Sequence, residues 1–266
     1  MVRISDWTAT AIAAVLTCIN VPVSEAAACR LQSPEHRVSI VELYTSEGCN
    51  SCPPADRWFS GLPKQGVSPD MAVLLAFHVD YWNRLGWSDR FSQASFTGRQ
   101  REVASRASRG VVYTPQLVLD GQDLRHGYST DQLRTQLAAI NAEKAPARIQ
   151  ANVFSSAKEV RISGGIEVIS PASGKGAQVW IASFENGLSS RVTAGENAGK
   201  RLEHDYVVRE LAGPFSIGAD GRAQLEHTIK LQSDWNAERS GIAIFIERRD
   251  TGEVLEATAM YPLCSS

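Results

Sequence analysis

Two cysteines separated by two residues, Cys49 and Cys52, follow a short apolar run and precede two prolines. The run, residues 38–44, is rich in β-branched side chains and is bounded by polar ones, which predicts a buried strand. Pro53 and Pro54 fit the first turn of a helix, where a missing N–H group costs nothing. The CxxC pair is therefore predicted to lie where a strand leads into a helix.

Two thiols at this spacing can close a disulfide or share a metal ion. The start of a helix stabilises negative charge, and a CxxC thiol there can have its pKa lowered from about 8.5 to roughly 3.5–7.5. Cys49 is the predicted nucleophile, because attack on a disulfide requires an accessible thiolate, and Cys52 is the predicted resolving thiol. Such exchange needs no cofactor, because the cysteines carry the electrons. The alternatives are an inert structural disulfide and a Cu(I) or Zn site completed by His78.

The first 28 residues indicate whether the protein is exported. Residues 1–28 have the composition of a secretory signal, with Arg3, an apolar stretch over 9–23 and small residues at 26–28, which predicts a periplasmic or secreted protein. An uncleaved anchor and a lipoprotein start at Cys29 are the alternatives. No later stretch is apolar enough to span a bilayer, so we expect no stable membrane insertion after cleavage. The net charge of −2, without a basic face, predicts no nucleic-acid partner.

Cleavage of the signal would leave four cysteines, Cys29, Cys49, Cys52 and Cys264, with three possible pairings in an oxidising compartment. The preferred pairing joins Cys29 to Cys264 and ties the mature amino terminus to the last residues. The chain-entropy relation gives roughly 5 kcal/mol for so long a loop. Two terminal thiols without a partner are the alternative.

Hydrophobic periodicity divides the chain into an α/β domain over residues 29–145 and an all-β, sandwich-like domain over 146–266. The predicted order in the first domain is β, α, β, α, β, β, α, at residues 38–44, 53–62, 71–79, 88–108, 116–119, 124–128 and 131–144. Asp120 and Gly121 predict the hairpin turn between its last two strands.

The first domain resembles the thioredoxin and glutaredoxin fold in its strand–CxxC–helix order and in Thr114-Pro115, directly before the hairpin strand. Residues 41–56 are similar to the DUF1223 family of secreted bacterial and plant proteins, with further matches at 78–82, 86–87, 113–116 and 195–199. The resemblance covers nearly all of the mature chain. It implies a thioredoxin-like fold and a cis Pro115 facing the CxxC, where the backbone of Thr114 pairs with a protein or small thiol–disulfide substrate. It implies no settled activity.

Glu42 stands in the first apolar strand, on the same face as Ile40 and Tyr44. Burial would raise the pKa of this carboxyl and suit it to exchange a proton with Cys52. The alternative is a glutamate paired with a nearby arginine.

Residues at the carboxyl end of the second strand could form a substrate groove beside the CxxC, namely His78, Asp80, Tyr81 and Trp82, together with Trp87. Aromatic clusters also seal cores, which is the alternative. In the second domain, surface and hairpin positions are expected for the polar residues Glu196, His204, Asp205 and Tyr206. A binding module that keeps the fold without the chemistry is a third hypothesis for the whole protein.

Overall fold

The computed structural model describes residues 29–106, 110–125, 129–169 and 174–264. The predicted signal segment, residues 1–28, lies outside the described residues. The α-helices of the described residues are α1 (Cys52–Ser60), α2 (Ala94–Arg106) and α3 (Thr130–Asn141). The strands are β1 (Cys29–Gln32), β2 (Ser39–Thr45), β3 (Ala72–His78), β4 (Gln116–Leu119), β5 (Gln122–Asp123), β6 (Ala147–Ser155), β7 (Glu159–Val168), β8 (Ala177–Glu185), β9 (Leu188–Arg191), β10 (Arg201–His204), β11 (Val207–Ser216), β12 (Arg222–Lys230), β13 (Ser240–Arg248) and β14 (Val254–Met260).

The first half is arranged around β2, which pairs in parallel with β3 and antiparallel with β4. Both β2 and β3 are buried along their whole length, as expected for unbroken apolar runs covered on two faces. Asp120 and Gly121 have φ angles of 54° and 74°, which a tight hairpin turn requires. The partner strand β5 lies at Gln122–Asp123 instead of the predicted 124–128, of which 126–128 are outside the described residues.

The two faces of this sheet are covered by different helices, because successive side chains of a strand point to opposite sides. On one face, Leu43 packs in a cluster with Phe59 of α1 and Leu137 of α3. On the other face, Tyr44 packs in a cluster with Phe96 of α2. Side chains of β2 with even numbers therefore face away from α1.

The second half contains a four-stranded antiparallel sheet in the order β1, β6, β7, β12. It packs on β8 and β13 through a core that includes Ile149, Ile162, Ile181 and Ile244. Two sheets therefore enclose this core, as in a β-sandwich. β1 belongs to this sheet although it is the first strand of the described residues and precedes the first half's other strands in the chain.

The predicted boundary at residue 145 does not divide the sheets. One eight-stranded sheet runs through both halves in the order β14, β13, β8, β11, β3, β2, β4, β5. At the junction, the Ala76 N–H donates to the Tyr206 carbonyl at 2.8 Å, and Val207 pairs with Ala76. The open edge of β3 needs a partner, and the second half provides it.

A buried arginine also connects the halves. Arg99 of α2 donates to Glu42 of β2 and to Glu247 of β13, each at 2.6 Å. All three side chains are almost completely buried. Arg106 is a second partner of Glu247 at 3.2 Å, so Glu42 is the carboxylate that depends on Arg99 for compensation.

Two disulfides lie within the described residues, Cys29–Cys264 and Cys49–Cys52. The predicted pairing of the terminal cysteines is confirmed. Among the described residues, no helix has the length and apolar character needed to cross a membrane.

Candidate functional site

The CxxC segment connects the end of β2 to α1 through two consecutive turns. The Cys49 N–H donates to the Ser46 carbonyl and the Cys52 N–H donates to the Cys49 carbonyl, both at 3.2 Å. α1 begins at Cys52, and the two following positions are Pro53 and Pro54. Because proline has no N–H group, this helix start offers fewer donors to a thiolate than most do.

Both cysteines are fully buried, with no exposed surface on Cys49 or Cys52. The expectation of an accessible Cys49 is therefore wrong for the state described here. Only Asn50 and Ser51, between the cysteines, reach the surface. A segment of the second half covers this loop.

That segment, residues 192–200 between β9 and β10, is called the strap below. The fully buried amide of Asn197 donates to the carbonyls of Glu47 and Cys49 at 2.8 and 2.9 Å. The Glu196 carboxylate accepts from the Asn50 N–H at 3.0 Å. These bonds fasten the strap to both sides of Cys49, and they place a negative charge beside it. Glu196 is exposed in the hairpin loop, as the sequence predicted, and it contacts the CxxC loop from there.

The strap approaches closely because of a glycine. Gly195 has a φ angle of +73°, and a Cβ atom there would lie 3.3 Å from the Trp87 Cβ. A larger residue would strain the backbone and push the strap outward.

The Thr114-Pro115 segment lies at the same end of the sheet. β4 pairs with β2 from Gln116 opposite Tyr44, so the preceding residues lie beside the loop that carries the CxxC. The Thr114–Pro115 bond is cis, as the resemblance implied. The Trp82 indole N–H donates to Thr114 Oγ1 at 2.8 Å, and the Trp82 Cβ would lie 3.0 Å from a Cβ on Gly48. Trp82 therefore joins the two segments.

The other predicted groove residues have internal roles. His78 is fully buried. Asp80 binds the Thr97 hydroxyl of α2 through its backbone N–H and its carboxylate. Tyr81 is partly buried against the core on the α2 face. Of the predicted set, Trp82, Trp87 and Thr114 lie at the CxxC loop.

Beneath the CxxC loop lies a cluster of buried titratable side chains, called the polar cluster below: Glu47, Asp56, His78, Asp89 and His204. One part is the pair of His78 Nδ1 and Asp89 Oδ2, 2.7 Å apart. Burial opposes protonation of His78, but the Asp89 carboxylate outweighs burial and the pKa of His78 is raised. Burial also disfavours the Asp89 carboxylate, but His78 and two backbone N–H groups outweigh it and lower the pKa of Asp89.

The second part of the polar cluster is centred on His204 of β10. Its Nε2 lies 3.4 Å from Glu47 Oε1, and its Nδ1 lies 3.7 Å from Asp56 Oδ2. Trp87 donates to the other oxygen of Glu47 at 2.7 Å. Burial acts against the Glu47 carboxylate, but His204 and Trp87 outweigh it and lower the pKa of Glu47. The predicted surface role of His204 is wrong, because only 3% of its surface is exposed.

Asp56 is the exception in the polar cluster, because burial raises the pKa of its carboxyl above the ordinary value. The Thr45 hydroxyl donates to its Oδ1 at 2.7 Å. Glu47 Oε1 and His204 Nε2 face each other at 3.4 Å without a well-aligned hydrogen bond, and His78 Nε2 has no hydrogen-bond partner among the described residues. The cluster is therefore incompletely satisfied, which is costly in a buried site.

Glu42 is paired with an arginine, which is the alternative that the sequence left open. Arg99 binds both of its oxygens, at 2.6 and 3.2 Å, and the Tyr44 hydroxyl donates to one of them. Its side chain lies on the sheet face opposite α1, so the prediction that it exchanges a proton with Cys52 is wrong.

The metal alternative finds no suitable arrangement. Throughout the described part of the chain, no group of three or more His, Cys, Asp and Glu side chains is placed to hold a metal ion. Nδ1 of His78 is engaged by Asp89.

Fold and site together define a mixed α/β protein with a CxxC disulfide closed at a helix start and covered by a hairpin loop. The chain belongs to the DUF1223 family, described as a protein of unknown function, which matches residues 40–247.

Two solved structures are similar to this chain. The X-ray crystal structure of the protein AGR_C_4864 from Agrobacterium tumefaciens has 26% identity and a TM-score of 0.60, covering 88% of this chain and 98% of its own. HBP35 of Porphyromonas gingivalis has 12% identity and a TM-score of 0.66, covering 88% of this chain and 79% of its own. At 12% identity the likeness concerns the fold alone. No curated protein matches the chain.

Proposed function

We propose that this protein is a thiol–disulfide oxidoreductase that exchanges disulfides with protein or small thiol partners through Cys49 and Cys52. The observation that carries the proposal is a disulfide between cysteines three residues apart at the start of α1. The chain-entropy relation gives so short a loop about 2 kcal/mol, against about 5 kcal/mol for the loop closed by Cys29 and Cys264. Fold stabilisation therefore accounts for the terminal disulfide better than for the CxxC disulfide.

A thioredoxin-like arrangement of residues 39–141 is part of the proposal. It is supported by the element order β2, α1, β3, α2, β4, β5, α3 and by the cis Pro115 beside the CxxC loop. Export to the periplasm or beyond is also part of it, because two disulfides suit an oxidising compartment and residues 1–28 have the composition of a signal.

Exchange requires the strap to move, because a partner cannot reach a sulfur that has no exposed surface. Three hydrogen bonds hold the strap to the CxxC loop, two from Asn197 and one to Glu196. At about 1 kcal/mol each, these bonds leave an open form populated on the order of 1 per cent. Such a minor state is sufficient for exchange at a reduced rate.

Trapping of mixed disulfides tests the proposal. Cys52→Ser, expressed in an exporting host, keeps the attacking thiol and removes the resolving one, so partners should remain attached to Cys49 until a reductant is added. Cys49→Ser is the matched control and should trap none. The test is repeated with Asn197→Ala added, which loosens the strap. If neither form of Cys52→Ser captures a partner, disulfide exchange is excluded and the binding-module hypothesis takes its place.

A further inference from the structure

A buried carboxyl lies one helical turn beyond the resolving cysteine. Asp56 follows Cys52 by four residues on α1, and side chains at that spacing share a helix face with Cβ atoms about 5–6 Å apart. Cys52 is fully buried and 6% of Asp56 is exposed. Water is therefore a poor source of protons at this position.

The groups that face Asp56 come from both halves of the protein. They are His204 from β10, His78 from β3, Asp89 from the segment before α2 and the Thr45 hydroxyl at the end of β2. Glu47 of the CxxC loop contacts His204 on its other side. A small cavity beside Asp56 is also lined by both histidines and by Asp205. Imidazole nitrogens without hydrogen-bond partners border this region, so the polar cluster can hold a proton in more than one place.

We propose that Asp56, paired with His204 across the two halves, exchanges a proton with the Cys52 sulfur whenever the Cys49–Cys52 disulfide opens or closes. This inference rests on the proposed function. When a partner thiolate attacks Cys49 Sγ, a new S–S bond forms and the Cys49–Cys52 bond breaks. Its electron pair leaves on Cys52 Sγ as a thiolate, which takes the proton of the Asp56 carboxyl. In the reverse step the Asp56 carboxylate removes the Cys52 proton, the thiolate attacks Cys49 and the partner leaves as a thiolate.

His204 assists in both directions because of its place 3.7 Å from the carboxyl. A protonated imidazole stabilises the carboxylate that remains after proton transfer, and a neutral imidazole allows the carboxyl to keep its proton. Burial raises the pKa of Asp56, which brings it closer to that of a thiol. Glu42 is also buried, but Arg99 holds it on the other face of the sheet.

The test measures the titration of Cys52 alone, in the Cys49→Ala variant with the terminal disulfide intact. The ultraviolet absorbance of the thiolate is followed against pH, with and without Asp56→Asn. A unit charge about 6 Å away, acting through an effective dielectric constant of about 20, shifts a pKa by roughly two units. Removing the carboxylate should therefore lower the pKa of Cys52 by about one to two units, and Asp56→Glu should restore it.

Glu42→Gln is the matched control and should leave the Cys52 titration unchanged. If Asp56→Asn fails to fold, Thr45→Val is the second variant. The Thr45 hydroxyl stabilises the ionised form of Asp56 by a hydrogen bond, so its loss should also lower the pKa of Cys52, but by less. An unchanged Cys52 titration in a folded Asp56→Asn or Thr45→Val protein overturns the inference. This readout needs no partner, so failure to trap partners, which refutes the proposed function, is distinguished from failure here.

Discussion

Replacement of Asn197 by alanine tests whether the strap controls access to the CxxC. The change removes the bonds to the Glu47 and Cys49 carbonyls and leaves two buried acceptors without a donor. Unsatisfied buried groups cost about 1–3 kcal/mol each, so opening of the strap should become easier by about 2–6 kcal/mol. Because 1.4 kcal/mol corresponds to a factor of ten, the ratio of open to closed forms should rise at least roughly 30-fold, which takes the open form from about 1 per cent to roughly 20 per cent or more of the molecules.

The assay is the rate at which a small dithiol reduces Cys49–Cys52 under native conditions, read by alkylation and mass spectrometry. When opening and closing are fast, this rate follows the open fraction. Asn141→Ala is a matched control, because Asn141 also donates to two backbone carbonyls, those of Arg37 and Met71. Both variants should lose stability, but only Asn197→Ala should speed reduction strongly. Equal acceleration in the two would mean that global unfolding exposes the disulfide and that the strap has no special role.

Three further predictions concern stability. Arg99→Met leaves the buried Glu42 carboxylate without its ionic partner and Glu247 with Arg106 alone, and should lower the free energy of unfolding by about 3–5 kcal/mol in urea titration; a loss below about 1 kcal/mol would contradict this. The double change Cys29→Ser and Cys264→Ser should cost about 2–5 kcal/mol and leave the rate of CxxC reduction by the dithiol unchanged, whereas a faster rate would link the two disulfides. Burial raises the pKa of Glu256 from 4.5 to about 8, so stability from this carboxyl is full below about pH 4.5 and is lost as the pH rises to about 8. Glu256→Gln should therefore raise Tm at pH 8 more than at pH 4, and an equal effect at both would show that Glu256 does not titrate between these values.

Local sequence patterns were sufficient for the elements that position the CxxC. Unbroken apolar runs predicted β2 and β3, the Asp120-Gly121 pair predicted a hairpin turn, and prolines after Cys52 marked the start of α1. Counting cysteines predicted the terminal disulfide. These signals come from neighbouring residues or from covalent bonds, so they can be interpreted without knowledge of the fold.

The sheet that joins the halves had no such signal. β11 meets β3 through a short parallel contact at Val207 and Ala76, which are far apart in the chain. The hydrophobic pattern changes near residue 145 from mixed helix and strand periods to short alternating runs, which indicates different elements. It does not show that an edge strand of one half pairs with a strand of the other. Pairing over such distances depends on the whole packing arrangement.

The site shows the same limit. Asn197 and His204 are polar residues of a hairpin, where exposure is the ordinary expectation, and their burial arises only because the hairpin folds over α1. Asp56 did carry a signal, because its spacing from Cys52 places it on the same helix face. For Glu42 the apolar neighbours predicted burial correctly, but the choice between a thiol and an arginine as partner depended on Arg99, 57 residues away.

The burial of Asp56 depends on the second half of the chain. A carboxyl removed from water requires compensation, and within α1 and β2 the Thr45 hydroxyl supplies one hydrogen bond. The nearby imidazole is His204, at the base of the hairpin whose tip carries Asn197. The hairpin therefore covers the disulfide with one end and compensates the buried acid with the other. Exchange requires the strap at the tip to lift, and proton transfer requires His204 at the base to stay beside Asp56, so we expect the opening to be confined to the tip of the hairpin.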